Sequence, residues 1–412
     1  MVAAPRIQIP KKKKVALVLS GGGTKAAAFH IGVAFALQEN GFELYGGLQS
    51  DSNKLPPGPM SIQTYVGSSA GSFIGSVFAA GYSLENITSA FLKKDPLQDE
   101  SRFHPRPLSP LQYKKMFKLR PEIAMEQASQ FLKLKNITNA LLDGKFPSLL
   151  QLRWLKMTGF FTTTGIEQFL REEVLPSNRF EDYRSELFII GTKLNDSRKV
   201  VFGKNRYDPP PHDPLCQYQT HVKISDAVAA STALPVLYAP YPILDESGES
   251  HYYTDGEIRE TLSTHVAVDS GADLVITSYT HQPYRMIRGM GSLTEHGLPG
   301  IVLQSIYVMI EQKINSVFES YRSKKVAMNE VYRYCKEAQL STEVIQKIME
   351  ILERELHQRR DLDIIPIHPD PADGKTFFSE HFTLNANKMG EILKSGYKAG
   401  MQSLSRYEFE RS

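Results

Sequence analysis

The chain has 412 residues, a net charge of +3, 41% hydrophobic and 23% charged residues. This is an ordinary globular composition, with room for one large domain or two modest ones. The small net charge argues against nucleic acid as a partner, because phosphate binding leaves a domain strongly basic; a membrane surface or a neutral substrate stays open.

Residues 1 to 14 read as a basic, flexible tail. Lys11 to Lys14 ahead of Val15 to Leu19 imitate a signal peptide, but the apolar part is shorter than the ~7–15 residues expected and runs into glycines. No run approaches the ~20 apolar residues of a membrane span. The expected location is the cytoplasm, with peripheral membrane contact open; secretion without a signal would leave no trace here.

Val15 to Leu19 predict a strand buried on both faces. Gly21, Gly22, Gly23 and Lys25 follow, then a helix from Thr24 to Asn40, with Phe29, Val33, Ala36 and Leu37 at helical spacing and Gly41 as its stop. After a Gly- and Pro-rich connection, "IQTYVGSSAGSFIGSVFAAGYS" predicts a strand, a sharp turn and a helix. Residues 94 to 160 are mixed and charged, with "YKKMFKLRPEI" and "LLQLRWLKMTGFF", and read as helices with a partly exposed apolar face. "FTTTGIEQFLREEVL" starts a helix at a Thr cluster. "ELFIIGTKL" and "KVVFG" alternate as a strand pair, "SDAVAASTALPVL" is a helix ended by Pro235, "YYTDGEIRE" a turn and "GADLVITSY" a buried strand. From Ile301 to about Arg360 the chain reads as charged helix, with Val302, Ile306, Ile310, Val317 and Tyr321 as a core-facing stripe. "LDIIPI" is expected to be the last strand and "NANKMGEILKSGYKAGMQSL" a closing helix. Strands alternating with helices imply an α/β fold with a mainly parallel central sheet sandwiched by helices. Cys216 and Cys335 form no C-x-x-C pair and read as isolated buried thiols.

The chemistry points to Gly67-Ser68-Ser69-Ala70-Gly71, a G-x-S-x-G pattern between a strand and a helix. That context is what a nucleophile elbow requires. Small flanking residues let the backbone close up and a carbonyl approach, and the helix start favours developing negative charge. Ser68 and Ser72 are out of register with the pattern. A serine needs a base. Of eleven histidines, His212, His221, His251, His265, His281 and His296 follow the serine without a marking motif, and His30 reads as a satisfied interior residue. Asp255-Gly256, after an aromatic stretch, is a further candidate, its glycine letting the carboxylate turn back into a cleft. Asp143-Gly144 and Asp373-Gly374 read as ordinary turns.

"SGGGTK", "GSSAG" and "DGE", in this order, resemble the patatin-like phospholipase family, whose patterns are G-G-G-x-R/K, G-x-S-x-G and D-G-G or D-G-A. The likeness covers about 15 to 280 and resumes near 361 to 405, including "DAVAASTALPVLYAPY" ahead of the aspartate. The resemblance implies one catalytic domain over 15–412, with a helical cap inserted at about 94–160 and a helical insertion at about 290–360. It implies a Ser69–Asp255 dyad, an oxyanion loop at Gly21, Gly22 and Gly23, and support from Lys25, Gly67, Gly71 and Gly256. The activity implied is hydrolysis of lipid acyl esters through an acyl-enzyme, without metal or cofactor; acyl transfer and inactive lipid binding are the alternatives. "RWLK" and "YKKMFKLR" interleave basic and apolar residues as an anionic membrane surface would want. Two departures stand out: Ala26 after Lys25, and Glu257 where the pattern has a small residue. An inward Glu257 would put a second carboxylate beside the dyad. A dinucleotide fold, with Gly21-x-Gly23-x-x-Ala26 and Glu43 as ribose carboxylate, fits less well, since no apolar strand ends at Glu43 and "GSSAG" goes unused.

Overall fold

The computed structural model describes residues 6–51, 56–93, 107–120, 158–205, 207, 215–285, 294, 297–371, 373 and 382–410. The first strand, β1 (Ile7–Ile9), is followed by β2 (Val15–Leu19), every residue of which is buried. Each such apolar side chain taken from water contributes about 1.5–3 kcal/mol. Helix α1 (Gly23–Glu39), strand β3 (Glu43–Leu44), strand β4 (Ser61–Ser68) and helix α2 (Ala70–Ala80) come next, as the periodicity predicts apart from the two-residue β3. Helix α3 (Leu84–Leu92) starts on the Ser83 side chain, which accepts from the Asn86 N–H.

Of the expected cap at 94–160, only 107–120 and 158–160 are described; "RWLK" and Asp143 lie outside the described residues. The described part holds one helical turn, α4 (Tyr113–Met116), and β5 (Lys118–Leu119), which pairs with β6 (Phe161–Thr162). Helix α5 (Thr164–Phe169) runs on through a π-turn to Val174. The predicted hairpin is β7 (Glu186–Lys193) with β8 (Arg198–Gly203), to which β9 (Cys216–Gln219) adds in parallel. Helix α6 (Ile224–Ser231) stops four residues before Pro235. The segment read as a turn is instead a hairpin, β10 (Tyr241–Leu244) with β11 (Ser250–Asp255), and only Gly256–Ile258 turns. Helix α7 (Thr264–Asp269) and strand β12 (Leu274–Ser278) follow.

The central sheet runs β10-β11-β7-β4-β2-β12-β13, with β13 (Asp363–Ile367) at one side, and β3, β8 and β9 attached beside it. Every pair from β7 across β4, β2 and β12 to β13 is parallel. Helices cover both faces: α1, α2, α3, α6 and α10 (Ala386–Leu404) share one apolar core, and α7 shares a second with the underside of the sheet. Between β12 and β13 the chain makes α8 (Gly297–Glu337) and α9 (Thr342–Leu356). The predicted stripe of α8 holds in part: Ile310 and Tyr321 pack against the core beneath the sheet, Ile306 and Val317 are 42% and 40% exposed, Tyr307, Ile314 and Phe318 are buried instead, and the Val302 side chain lies outside the described residues.

Two expectations change near the ends. β13 is not the last strand, because β14 (Tyr407–Phe409) pairs in parallel with β1. The stretch read as a flexible tail is therefore held from Ile7 onward. Lys12 Nζ lies 2.7 Å from Asp363, Lys14 Nζ 2.5 Å from Glu186, and the Lys13 and Lys14 amides donate to the Asp273 carboxylate. The lysines meet carboxylates at the amino ends of the strands, which is why a basic run packs here. Both cysteines are buried, as expected.

Candidate active site

Strand β7 acts as the ruler that assembles the site. β4 ends at Ser68, which pairs with Ile190; β11 arrives from the opposite direction at Asp255, which pairs with Gly191. Adjacent residues of β7, ~3.8 Å apart at Cα, thus bring the next residue, Ser69, against Asp255. On the other side Gly67 pairs with Leu19 of β2, and Leu19 with Ser278 of β12. The strand ends stop in line, at the carboxyl edge where open α/β sheets bind ligands.

Ser69 sits between β4 and α2 with φ 51° and ψ −122°. A non-glycine residue held there costs on the order of 1–3 kcal/mol, so the surroundings must enforce it. They do. The Ser69 N–H donates to Ser231 Oγ at 2.8 Å, and Ser231 donates in turn to the Ile190 carbonyl at 2.6 Å. The Ser69 carbonyl accepts from the Ser72 hydroxyl at 2.6 Å, which gives Ser72 its structural use. A methyl group at Gly71 would fall 2.2 Å from the Leu19 carbonyl oxygen, so only glycine lets α2 leave the sheet this closely. Gly67 abuts Gly71 from the strand side, and Gly256 abuts the Ile190 carbonyl.

Asp255 is 2% exposed. Its N–H donates to the Ala233 carbonyl at 3.0 Å, and its carbonyl accepts from the Thr192 hydroxyl at 3.0 Å, so its backbone is fixed by α6 and β7. Its Oδ1 accepts the Glu257 N–H at 2.9 Å. Burial pushes this carboxyl up to about 6, against the restraint of the Glu257 N–H and the Ser69 hydroxyl, which both stabilise the anion. A carboxylate of raised basicity beside a serine is the arrangement a general base needs.

Glu257 points inward. Its Oε1 accepts the Gly21 N–H at 2.7 Å, and a methyl on Gly21 would meet Glu257 Cγ at 2.8 Å and Ser69 Cβ at 2.9 Å. Burial, and then the neighbouring Asp255 charge, pushes it up to about 8. Two carboxyls this close and this buried resist carrying two negative charges together, and the upward push is larger on Glu257. Gly21, expected among the oxyanion donors, has its amide committed to Glu257. Gly22 and Gly23 line the cavity beside Ser69. Gly22 has φ 128°, open only to glycine, and caps α1, whose first amides have no carbonyl to bond within the helix.

Lys25 is fully buried in the first turn of α1, and burial lowers it to about 8 against the pull of Asp373. Its Nζ lies 5.7 Å from the centre of the Tyr307 ring, which stands edge-on to His281 at 5.3 Å. Lys25 thus lies against Tyr307 of α8, which lines the cavity. Of the histidines, His281 lines the cavity; His251 bonds Asp245 and His265 pairs with Glu260, while His212 and His296 lie outside the described residues. His30 is buried between Ser278 Oγ at 2.7 Å and the Ser20 carbonyl at 2.9 Å, and burial lowers it to about 4.

Ser69, Asp255 and Glu257 face a cavity of about 610 Å³ walled by Phe73, Leu111, Met116, Ile166 and Phe382 among others. The sequence motifs do not reveal its remaining wall, which α8 supplies with Ile306, Tyr307 and Ile310. A hydroxyl on a strained turn, a basic buried carboxylate and helix-start amides at one apolar cavity can carry acyl transfer. The family profile described as patatin-like phospholipase matches residues 17–268, from β2 to α7. No curated protein matches the chain.

Proposed function

The chain belongs to the patatin-like phospholipase family, and from that premise we propose that it hydrolyses fatty acyl esters of lipids through an acyl-enzyme on Ser69. The observation that carries this is Ser69, held on a strained turn, brought by the register on β7 beside buried Asp255 at one apolar cavity. Asp255 takes the hydroxyl proton as Ser69 Oγ adds to the ester carbonyl. The amides of Gly22 and Gly23 meet the oxyanion; one such donor contributes about 3–4 kcal/mol to the transition state. The intermediate collapses, the alcohol leaves with the proton from Asp255, and the acyl group stays on Ser69. Water, deprotonated by Asp255, then releases the fatty acid and restores the serine.

The mouth supports a lipid substrate taken from a surface. Leu234, Ile258, Ile306 and Met309 line the cavity and are still 38%, 50%, 42% and 57% exposed, and Val236 beside them is 76% exposed. In "YKKMFKLR", Met116 turns into the cavity while Lys114, Lys118 and Leu119 stay outside, as peripheral contact with an anionic membrane would use them. No described helix is long and apolar enough to cross a membrane. A cytoplasmic enzyme that visits membrane surfaces fits these features.

A fluorophosphonate probe tests the assignment. Wild-type protein should be labelled on Ser69, and Ser69→Ala should take no label and lose about 10⁴-fold or more in turnover. Equal labelling of both proteins removes Ser69 as nucleophile. Product analysis on a lipid extract separates release of free fatty acid from transfer to another acceptor.

A further inference from the structure

The mechanism above leaves Glu257 without a role, although it is the residue that touches all three parts of the site. Its side chain crosses from the β11 turn to the loop after β2 and accepts the Gly21 N–H at 2.7 Å. Its backbone N–H holds the Asp255 carboxylate at 2.9 Å. Its Cγ and the Ser69 Cβ converge on the same face of Gly21, within 3 Å of one point. The position is one where the family pattern has a small residue, which could make the backbone contact but not the side-chain one.

We propose that Glu257 is a positioning residue whose side chain clamps the oxyanion loop to the turn carrying the base, and that a full negative charge on it works against the oxyanion. The inference rests on the acyl-hydrolase reading above. The clamp assigns the donors: with Gly21 tied back, Gly22 and Gly23 are held at the cavity. The charge effect follows from the same geometry. A second anion beside Asp255 and Ser69, in a low-dielectric pocket, repels the negative charge that develops on the substrate oxygen. Glu257 itself transfers no proton; it keeps its own through the cycle.

The sign of the pH dependence can be worked out. Asp255 must be ionised, so activity rises through about 6; Glu257 must be neutral, so activity falls through about 8. The other charged groups near the cavity are Lys25 from α1, which also titrates near 8, and Lys313 from α8. Glu260, on the same turn as Glu257, is paired with Lys199 and His265. Of all these, Asp255 is the charge that bears on Glu257. Lys25 could produce an alkaline limb by itself, so the limb alone does not decide; a variant at 257 does.

The experiment measures kcat and KM on a short soluble ester from pH 5 to 9.5 for wild type, Glu257→Met and Glu257→Gln. Methionine fills the space but accepts no hydrogen bond, whereas glutamine accepts from Gly21 and carries no charge. The Met variant should lose about 100-fold in kcat, as an ångström-scale misplacement does, with KM within about threefold. The Gln variant should recover at least about tenfold of that loss and show no fall near pH 8. A Met variant with wild-type kcat, a Gln variant as impaired as Met, or an unchanged alkaline limb in Gln each overturns the proposal while labelling of Ser69 leaves the hydrolase reading standing. A wild-type protein that neither labels nor turns over esters overturns both. Thermal unfolding of each variant identifies a loss that comes from misfolding: a Met variant that unfolds like wild type and still loses kcat supports the clamp, and one restored to wild-type kcat by lowering the temperature overturns it.

Discussion

The carboxyl edge of the sheet and the distal half of α8 with α9 are built on opposite plans. At the sheet edge the residues of the turn and of the buried carboxylate are tied to other elements: Ser69 to Ser231, Ser231 to Ile190, Asp255 to Ala233 and Thr192. The helical arm has only a small core of its own, Met328, Cys335, Ile345 and Met349. It leaves Val326, Tyr334, Val344 and Ile351 between 43% and 69% exposed. The edge tolerates almost no change because several constraints meet at each atom; the arm rests on a small core and a few hydrogen bonds, such as Gln358 Nε2 to the Tyr321 carbonyl, which many sequences could supply. Helix α8 takes part in both. Its first turns wall the cavity with Tyr307 and Ile310, its middle is anchored by Ile314 and Phe318, and the Tyr321 hydroxyl donates to the Leu362 carbonyl at 2.7 Å before the arm departs.

Replacing Asp255, the proposed base, should give the sharpest contrast. Asp255→Asn keeps the shape but cannot take the serine proton, so turnover should fall about 10³–10⁴-fold. The rise in activity through about pH 6 should vanish with it. Stability should move the other way. A buried acid whose folded value lies above its unfolded one binds more protons when folded, so wild-type stability falls as pH rises from about 4 to 6. Asn does not titrate, and the variant should gain up to about 3 kcal/mol over wild type at pH 7. Undiminished turnover, or a variant less stable than wild type at pH 7, breaks the claim that this edge trades stability for basicity.

The same contrast explains what the sequence could tell. Ser69 was legible because an elbow demands glycine at 67 and 71, and Gly71 leaves no room for a methyl. Asp255 was not legible alone; it gained meaning from the other two motifs, and the register on β7 gives the physical reason they belong together. The inward turn of Glu257 depends on strand pairing and could not be read from "DGE". The stripe of α8 was legible only in part: Ile310 and Tyr321 face the core as the spacing predicts, but 307 and 318 are buried in place of 306 and 317, and 314 is buried besides. The β1–β14 pair escaped notice because three residues near one end give no period, and their partners lie about 400 positions away. The parallel core was legible because burial on both faces writes continuous apolar runs such as β2.

A milder effect belongs to the rim, between the two regions. Val236, two residues after the cavity-lining Leu234, is exposed with φ 74°, a conformation a β-branched residue adopts only when held. Asparagine tolerates that backbone and removes the apolar surface. Val236→Asn should therefore unfold no earlier than wild type. If Val236 enters a lipid surface, it contributes about 1.5 kcal/mol there, and turnover on anionic vesicles should fall about tenfold while a soluble ester is cleaved within about twofold of wild type. An equal loss on both substrates would mean that Val236 shapes the cavity rather than the approach to it.

The smallest effect on catalysis should come from the arm. Ile345→Ala removes a buried side chain from a core of few residues, a change that costs about 2–5 kcal/mol where a site cannot collapse. That loss should be local, because the arm shares its core with no strand. The anchors of α8 lie ahead of it: Ile314 and Phe318 pack beneath the sheet, and Lys325 Nζ donates to the Leu362 carbonyl at 2.6 Å. Unfolding beyond Lys325 leaves Tyr307 and Ile310 in the cavity wall. Hydrogen exchange should speed up between residues 328 and 356 and stay unchanged in α1 and β4, with ester turnover within about twofold of wild type. If instead turnover drops with the arm, the anchors do not isolate the two plans, and α8 transmits the state of its far end to the cavity it helps to close.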